Sequence, residues 1–321
     1  MTKKNSMLTE MVNSAESIAI GGHVRPDGDC VGSCLGVYLY LRKHFPDKQI
    51  HVYLESIPDV FHFLKGSEDI FHEIPDNKVY DLFILLDCGD AKRLGFSAPL
   101  YENAKKSFCI DHHVSNQAFA TENYIEPDAS STCELVYNLL GTEEITFEIA
   151  ECLYVGMVHD TGVFRHSCTH PSTMCAAADL MGKGINFTKI ITETFDEKTF
   201  AQNQVMGYAL VNAIQFQDGW GVASHVDMEQ MAVYQVHPKQ LDGIVNQLKL
   251  TKGADLAVFM YELEKGFYKV SLRSTEKIDV SSLAQIFGGG GHARAAGFGM
   301  NGTFTDILEK VKIAALEQLG N

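Results

Sequence analysis

Short apolar, β-rich runs alternate with amphipathic stretches between residues 17 and 185. Four runs predict β-strands, at residues 17–24 (SIAIGGHV), 49–55 (QIHVYLE), 80–88 (YDLFILLDC) and 106–111 (KSFCID). The third run is continuously apolar, which is typical of a parallel strand buried on both faces. Helical patterns lie between and after these runs, at residues 31–45, 131–140, 146–160 and 171–184. This alternation predicts βαβ units, and so an α/β fold with a parallel sheet flanked by helices.

The pattern changes after about residue 186. Residues 187–213 predict one or two connecting helices. Beyond them, strands are predicted at residues 220–227, 254–266 and 267–274, and helices at 237–250 and 304–319. The last two strands form a hairpin around Lys265-Gly266. We therefore expect an α/β domain at residues 1–186, a helical linker at 187–213 and a smaller α+β domain at 214–321.

Composition and charge exclude several classes of protein. Forty-one acidic against 26 basic side chains give a net charge of -15, which argues against tight binding of long duplex nucleic acid through Lys/Arg–phosphate contacts. No stretch approaches the ~20 apolar residues of a membrane-spanning helix, and the polar N-terminus does not resemble a secretory signal. Eight cysteines are scattered singly. They predict buried, reduced thiols in a cytoplasmic protein without a membrane partner.

A histidine and two aspartates follow the first predicted strand, in the segment His23-Val-Arg-Pro-Asp27-Gly-Asp29. Ligands of open α/β sheets bind outside the carboxyl ends of the strands. The intervening glycine lets the chain curl, so that both carboxylates can face one centre. Helix capping by Asp29 would explain one carboxylate, but it leaves His23 and Asp27 without a reason.

Three further segments place acidic and imidazole groups at the ends of predicted elements. Asp87 ends the most apolar strand, where a charge is costly unless something compensates it. The triplet Asp111-His112-His113 ends the fourth strand, and Asp160 ends a helix. A single histidine in such a place is usually structural. A mixed His/Asp set at several element ends is instead typical of a metal site.

The charges of this set predict its ions. The carboxylates of Asp27, Asp29, Asp87 and Asp160 could not share a small pocket unaided. Two divalent cations would balance them, and the imidazoles of His23 and His112 would complete a mixed nitrogen and oxygen ligand set. Such ligands favour Mn²⁺, with Mg²⁺ or Co²⁺ as substitutes, over a thiolate zinc site.

The ordered motifs HxxPDGD, a strand-end aspartate, DHH and DTG resemble those of the DHH phosphoesterase family. The tail GGGGHARAAG, residues 288–297, is similar to the GGGH signature of the DHHA1 substrate-binding domain. The resemblance covers roughly residues 15–320, and in length and arrangement it is nearest to the NrnA-like nanoRNase and pAp-phosphatase branch. It implies an N-terminal DHH catalytic domain followed by a DHHA1 domain.

The resemblance implies a role for each motif residue. Asp87 would bridge two metal ions, one held by His23 and Asp27 and the other by Asp29, His112 and Asp160. His113 would face the substrate phosphate, and Asp111 would orient a histidine. Two ions 3.5–4 Å apart activate a bridging water and stabilise the attacking and leaving oxygens. The implied reaction is hydrolysis of a phosphoester without a covalent intermediate.

Substrate binding is expected largely in the second domain. Consecutive glycines expose backbone N–H groups and allow a phosphate to approach. The resemblance and this argument together give seven candidate substrate-binding residues, namely Arg93, Arg273, Gly289, Gly290, Gly291, His292 and Arg294.

The implied function is Mn²⁺-dependent hydrolysis of short, single-stranded, 5′-phosphorylated RNA to mononucleotides, and of pAp to AMP. A phosphodiesterase for linear or cyclic dinucleotides (pApA, pGpG, c-di-AMP) is the alternative, because these substrates overlap chemically. The GGGGH segment argues against the family's pyrophosphatases and polyphosphatases. A non-catalytic module is disfavoured because every metal ligand is present. The apolar faces of the linker helices are compatible with a homodimer.

Overall fold

The chain divides into two compact units, an N-terminal unit Met1–Glu197 and a C-terminal unit Lys198–Asn321. The computed structural model describes residues 3–75 and 78–320. In that part of the chain, no helix combines the length and apolar character needed to cross a membrane. The boundary between the units falls inside the segment predicted as a linker, residues 187–213.

The described part of the N-terminal unit is built on a sheet of six parallel strands. These are β1 (Ser17–Gly21), β2 (Gln49–Tyr53), β3 (Ile70–Phe71), β4 (Leu82–Leu86), β5 (Lys106–Asp111) and β6 (Glu122–Ile125). Their order is β3-β2-β1-β4-β5-β6, and every neighbouring pair is parallel. The central strand β4 is buried along its whole length, as its continuous apolar run predicts. The predicted α/β fold with a parallel sheet is confirmed.

Seven α-helices of the described residues accompany this sheet. They are α1 (Lys3–Asn13), α2 (Gly28–His44), α3 (Ala98–Glu102), α4 (Thr132–Leu140), α5 (Phe147–Asp160), α6 (Pro171–Gly182) and α7 (Phe187–Ile191), the last followed by a π turn, Thr192–Asp196. Helices α2 and α5 pack closely because Gly32 has no side chain. A Cβ atom there would lie 2.3 Å from the carbonyl oxygen of Cys152.

The strand order determines where the polar motifs meet. Strands β1, β4 and β5 are neighbours in the sheet and run parallel. Their carboxyl ends therefore lie at the same edge, where ligands bind in sheets of this kind. This edge receives the segment after Gly21, Asp87 after β4 and the Asp-His-His triplet at the end of β5.

The C-terminal unit has a mixed sheet. Its strands are β7 (Ile214–Phe216), β8 (Gly221–Val226), β9 (Leu256–Glu264), β10 (Phe267–Ser274), β11 (Gly290–His292) and β12 (Ala295–Asn301). Its helices are α8 (Phe200–Val211), α9 (Met228–Tyr234), α10 (Ile244–Lys249), α11 (Val280–Ile286) and α12 (Phe304–Gln318). The order is β11-β12-β10-β9-β8-β7, with β8 and β9 the parallel pair. The predicted hairpin is confirmed, since β9 and β10 are antiparallel and Gly266 has φ 76°.

Two other expectations concern cysteines and assembly. All eight cysteines are free and six are buried, whereas Cys168 is half-buried and Cys175 exposed. The prediction of buried thiols is therefore confirmed for six of the eight. Helix α8 leaves the side chains of Phe200 and Val211 78% and 85% exposed. The homodimer stays a prediction.

Candidate metal centre

His23 and Asp27 lie in the segment that joins β1 to α2. The buried His23 ring donates its Nδ1–H to the carbonyl of Val24 at 2.9 Å. Its Nε2 lone pair then faces two carboxylates, Asp27 Oδ1 at 3.6 Å and Asp87 Oδ2 at 3.3 Å. Asp27 caps α2 by accepting two amide N–H groups of its first turn. Backbone hydrogen bonds therefore fix both groups towards one point.

Asp29 is fully buried beneath the first turn of α4. Its Oδ2 accepts the amide N–H of Thr132 at 2.7 Å, and its Oδ1 accepts that of Cys133 at 2.9 Å. The N-terminal amides of a helix favour a negative charge. Burial, together with the charges of Asp87 and Asp160, nevertheless raises the pKa of Asp29 well above its usual value. A cation beside it would relieve this penalty.

Asp87 lies between the Nε2 atoms of His23 and His112. It directly follows β4, is 2% exposed and has φ 54°. Its Oδ2 faces His23, whereas its Oδ1 accepts the hydroxyl of Thr132 at 3.2 Å and lies 3.7 Å from His112 Nε2. Backbone in this left-handed region is uncommon for a residue other than glycine and is often found at functional sites.

His112 and Asp160 form a close pair on the other side of Asp87. The Nδ1–H of His112 is directed at the carbonyl of Ala129 at 3.3 Å, and its Nε2 lies 3.0 Å from Asp160 Oδ2 and 4.0 Å from Asp29 Oδ2. An imidazole held through Nδ1 on a carbonyl presents Nε2 as a ligand atom, as metal-binding histidines do. Burial raises the pKa of Asp160, although His112 opposes the shift.

His113 points to a different set of partners. Its Nδ1–H donates to Asp111 Oδ1 at 2.7 Å, and its Nε2 lies 3.3 Å from a terminal nitrogen of Arg93. Asp111 is fully buried, and its second oxygen accepts the side-chain amide of Asn116 at 2.6 Å. This chain of hydrogen bonds orients His113 and places Arg93 at the edge of the centre.

Among the described residues there are three groups of side chains in which the possible ligand atoms lie within 4.8 Å of one another. They are His23 with Asp27 and Asp87, Asp29 with His112 and Asp160, and Asp87 with His112 and His113. Among the side chains that the structure describes, in residues 6–75 and 78–320, no lysine or arginine forms an ion pair with the four carboxylates of Asp27, Asp29, Asp87 and Asp160. Carboxylate oxygens with a minority of imidazole nitrogens suit a divalent cation. The residues present therefore fit a metal ion.

Protons and metal ions compete for this centre. Burial alone would lower the pKa of His23 and of His112, but their contacts with carboxylates raise it to about 11 for His23 and about 10 for His112. Above a pH of about 6.5, the folded, metal-free protein therefore keeps protons on His23 and His112 that the unfolded chain has released.

The metal-free protein is expected to lose thermal stability as the pH rises from about 6 to about 9. Stability from a raised histidine pKa is fully present below the unfolded value of about 6.5 and is lost as the pH rises towards the folded value. Thermal unfolding in the presence of a chelator measures this slope. The slope of melting temperature against pH should be smaller for His23→Gln. A melting temperature that rises between about pH 6 and about pH 9 would contradict the raised pKa of these histidines.

Three residues at the centre were not predicted from the sequence. Thr132 contacts both Asp29 and Asp87, Asn116 donates a hydrogen bond to Asp111, and His159 packs against Gly28, the residue after Asp27. Burial lowers the pKa of His159 to about 4. The only signal for Thr132 is its position at the start of a predicted helix, whose free amides can bind an anion.

The predicted substrate-binding residues other than Arg93 lie in the C-terminal unit. Arg273 of β10 pairs with Ala295 of β12, which pairs with His292 of β11. Because directly paired residues share a face of a sheet, the side chains of Arg273 and His292 lie on the same face, on strands about 10 Å apart. The half-buried Ala295 between them contributes only a methyl group.

The glycine segment forms an edge strand with turns, and three of its four glycines have a reason in the fold. Gly288 has φ 75°. A Cβ atom on Gly289 would lie 2.3 Å from the carbonyl oxygen of Gly297, and one on Gly291 would lie 2.5 Å from that of Ala295. Gly290 alone has neither a positive φ nor a close neighbour at its Cβ position. Packing against β12 and one positive φ therefore explain most of the run that we interpret as a phosphate loop.

Comparison with known proteins agrees with the motifs. The model of the DHH family, N-terminal domain, matches residues 17–157, and that of the DHHA1 domain matches residues 228–317. The bifunctional oligoribonuclease and PAP phosphatase NrnA of Thermus thermophilus is 29% identical over 99% of this chain and 95% of its own. The cyclic-di-AMP phosphodiesterase GdpP of Bacillus subtilis is 24% identical over 96% of this chain, which spans 48% of GdpP.

A solved structure supports the same relationship. The crystal structure of an exopolyphosphatase-related protein from Bacteroides fragilis matches with a TM-score of 0.89 and 27% identity, over 100% of this chain and 99% of that one. The two domain models lie in the order that the motifs predict and together match more than half of the chain. The chain therefore belongs to the DHH family, with a DHHA1 domain, and is a hydrolase that acts on phosphoester bonds.

Proposed function

We propose that this protein is a cytoplasmic, Mn²⁺-dependent phosphoesterase that hydrolyses short 5′-phosphorylated RNA oligonucleotides to mononucleotides, and pAp to AMP. The observation that carries the proposal is the pair of ligand groups on either side of Asp87, one around His23 and one around His112. The likeness to NrnA of Thermus thermophilus over nearly the whole chain supports the substrate class.

The proposed cofactors are two Mn²⁺ ions, for which Mg²⁺ or Co²⁺ can substitute. His23 and Asp27 hold one ion, and Asp87 is shared by both; the second is held by Asp29, His112 and Asp160. Such a pair of ions supplies an activated water and stabilises the oxygens that carry charge during displacement at phosphorus. The protein's part is to keep each Nε2 lone pair and each carboxylate oriented, through the backbone hydrogen bonds described above.

His113 and Arg93 are proposed to bind the substrate phosphate. Their nitrogens lie 3.3 Å apart, and His113 Nδ1 lies 3.6 Å from Asp87 Oδ1. The buried Asp111 accepts the Nδ1 proton and so fixes the ring with Nε2 outward. A guanidinium and an imidazole so placed can bind two oxygens of one phosphate group.

Arg273 and His292 are proposed to bind a terminal phosphate of the nucleotide. Arg273 donates Nε–H to Asn246 at 2.9 Å and one terminal N–H to the carbonyl of Leu272 at 3.0 Å. A guanidinium has five N–H donors, so three stay available for a ligand. Arg294 differs, because one of its terminal nitrogens lies within hydrogen-bond distance of the carbonyls of Thr275 and Ile278.

Substitution of Arg273 is expected to weaken substrate binding, whereas substitution of Arg294 is expected to lower stability. Arg273→Ala removes charge-assisted hydrogen bonds to phosphate, and KM for the RNA substrate should rise about 10- to 100-fold. Arg294→Ala removes the donor to the carbonyls of Thr275 and Ile278, of which the second keeps the hydroxyl of Ser274, and the free energy of unfolding should fall by about 1 kcal/mol. Kinetics and thermal unfolding of both variants check this. A large rise in KM without loss of stability in Arg294→Ala would place Arg294 in the binding site instead.

A phosphodiesterase for linear or cyclic dinucleotides is the second candidate, favoured by the likeness to GdpP over 96% of this chain. Both candidates need the same metal centre and differ only in the substrate accepted. A time course with Mn²⁺ separates them when pApA, a 5′-phosphorylated RNA pentamer, pAp and cyclic di-AMP are compared, with chromatographic separation of products. Conversion of the pentamer to mononucleotides with cyclic di-AMP intact supports the first candidate. Cleavage confined to dinucleotides would establish the second.

A further inference from the structure

His159 lies at the wall of the metal centre without belonging to any of its ligand groups. It precedes Asp160 on α5, and its ring packs against Gly28, which separates Asp27 from Asp29. A Cβ atom on Gly28 would lie 2.5 Å from the ring's Cγ. The ring therefore limits where the segment of residues 23–29, the ligand loop, can turn.

The ring is fixed by two aromatic neighbours and one hydrogen bond. Phe61 and Phe195 pack edge-on, with ring centroids 5.0 and 5.6 Å from that of His159. His159 Nε2 lies 3.0 Å from the hydroxyl oxygen of Thr194, and this hydroxyl donates its proton to the carbonyl of Ile190 at 2.8 Å. Because a hydroxyl has a single proton, Thr194 accepts from Nε2–H, which sets the tautomer of His159.

Thr194 and Phe195 both belong to the π turn, Thr192–Asp196. Single π turns are rare in proteins and frequently occur at functional sites. Here the turn presents a hydroxyl and an aromatic ring to the same imidazole. The turn, His159 and the ligand loop thus form one continuous set of contacts within the N-terminal unit.

We propose that His159 is a positioning residue which ties the ligand loop to the π turn and so sets the affinity of the ion held by His23 and Asp27. The contacts of the ring with Gly28 transmit the position of the turn to the Asp27 carboxylate. The second ion, held by Asp29, His112 and Asp160, depends on the amides of α4 instead. The inference rests on the proposed function only for the identity of the ion, Mn²⁺.

Coupling of this kind acts in both directions. If the turn sets the affinity of the ion, then binding of Mn²⁺ must stabilise the turn. Amide hydrogen exchange in residues 192–196 should therefore slow when Mn²⁺ is added to the full chain.

The first test uses two threonines of the same turn. Thr194→Val removes the acceptor of His159 with little change of shape, and calorimetric titration should show about tenfold weaker binding of one Mn²⁺ ion, with the other unchanged. Thr192→Val, at an exposed position of the turn, should bind both ions as the parent does. The protection of residues 192–196 by Mn²⁺ should be lost only in Thr194→Val. Equal affinities and equal protection in the two variants would overturn the proposal.

The second test uses two replacements of His159. His159→Gln keeps a donor near the position of Nε2 and should retain Mn²⁺ affinity within about threefold, whereas His159→Asn loses that donor and should weaken one ion about tenfold. Parent-like Mn²⁺ affinity in His159→Asn but not in His159→Gln would overturn the proposal, because the important hydrogen bond would then come from Nδ1 rather than Nε2. A parent protein that binds no Mn²⁺ would instead contradict the proposed function.

Discussion

Replacing Asp87 by asparagine is expected to abolish turnover and to weaken the pH dependence of stability in the metal-free protein. Asparagine has nearly the same shape and tolerates φ 54°, so the fold is kept. The lost carboxylate is the one shared by both proposed ions, and turnover should fall at least about 10³-fold. The metal-free variant should also lose less stability as the pH rises, because Asp87 contributes to the raised pKa of His23 and of His112.

Asp90→Asn is the matched control for this variant. Asp90 lies in the same loop, is exposed, and accepts the amide N–H of Lys92 at 2.9 Å, a contact that asparagine retains. It should have the turnover and melting temperature of the parent. Turnover of Asp87→Asn within tenfold of the parent would contradict the shared role of this carboxylate, whatever its melting temperature.

Gly156→Ala is expected to impair both folding and activity. Gly156 lies on α5, where a Cβ atom would be 2.2 Å from the sulfur of Cys133 and 2.7 Å from Asp29 Oδ1. Helices α4 and α5 would have to separate, at a cost of about 1–3 kcal/mol in the free energy of unfolding. The buried Asp29 carboxylate would move with them, so that activity falls even where the variant folds.

The control for this variant is a glycine of the same unit. Gly182 is the last residue of α6, and a Cβ atom there would have no neighbour within 4 Å, so Gly182→Ala introduces no clash. Its stability should be unchanged or up to about 1 kcal/mol higher, because alanine reduces the freedom of the unfolded chain. Denaturant unfolding and turnover of both variants check the contrast. Equal stability of the two would show that α5 adjusts without disturbing Asp29.

The N-terminal sheet was largely predictable because its strands are short apolar runs with a clear period. Strands β1, β2, β4 and β5 lie where the pattern predicts them. The edge strands β3 and β6 were not predicted, since they have only two and four residues and little periodicity can develop. In the C-terminal unit, β12 (AAGFGMN) was missed because alanine and glycine have low β propensity.

The metal centre was predictable to the extent that its residues carry distinctive chemistry at element ends. Thr132 and His159 were not, because a threonine at a helix start and a histidine within a helix are ordinary in sequence. Their roles depend on contacts across the fold, between α4 and Asp29 and between His159 and Gly28. Such contacts follow from packing, which hydrophobic periodicity does not encode.

The proposed mechanism depends on two divalent cations that share Asp87. Anomalous X-ray diffraction at the manganese absorption edge, from crystals of the full chain grown with Mn²⁺, shows directly whether both ions bind. We expect two peaks on opposite sides of Asp87, one bounded by His23 and Asp27 and the other by Asp29, His112 and Asp160. A single peak, or two that do not share Asp87, would contradict it.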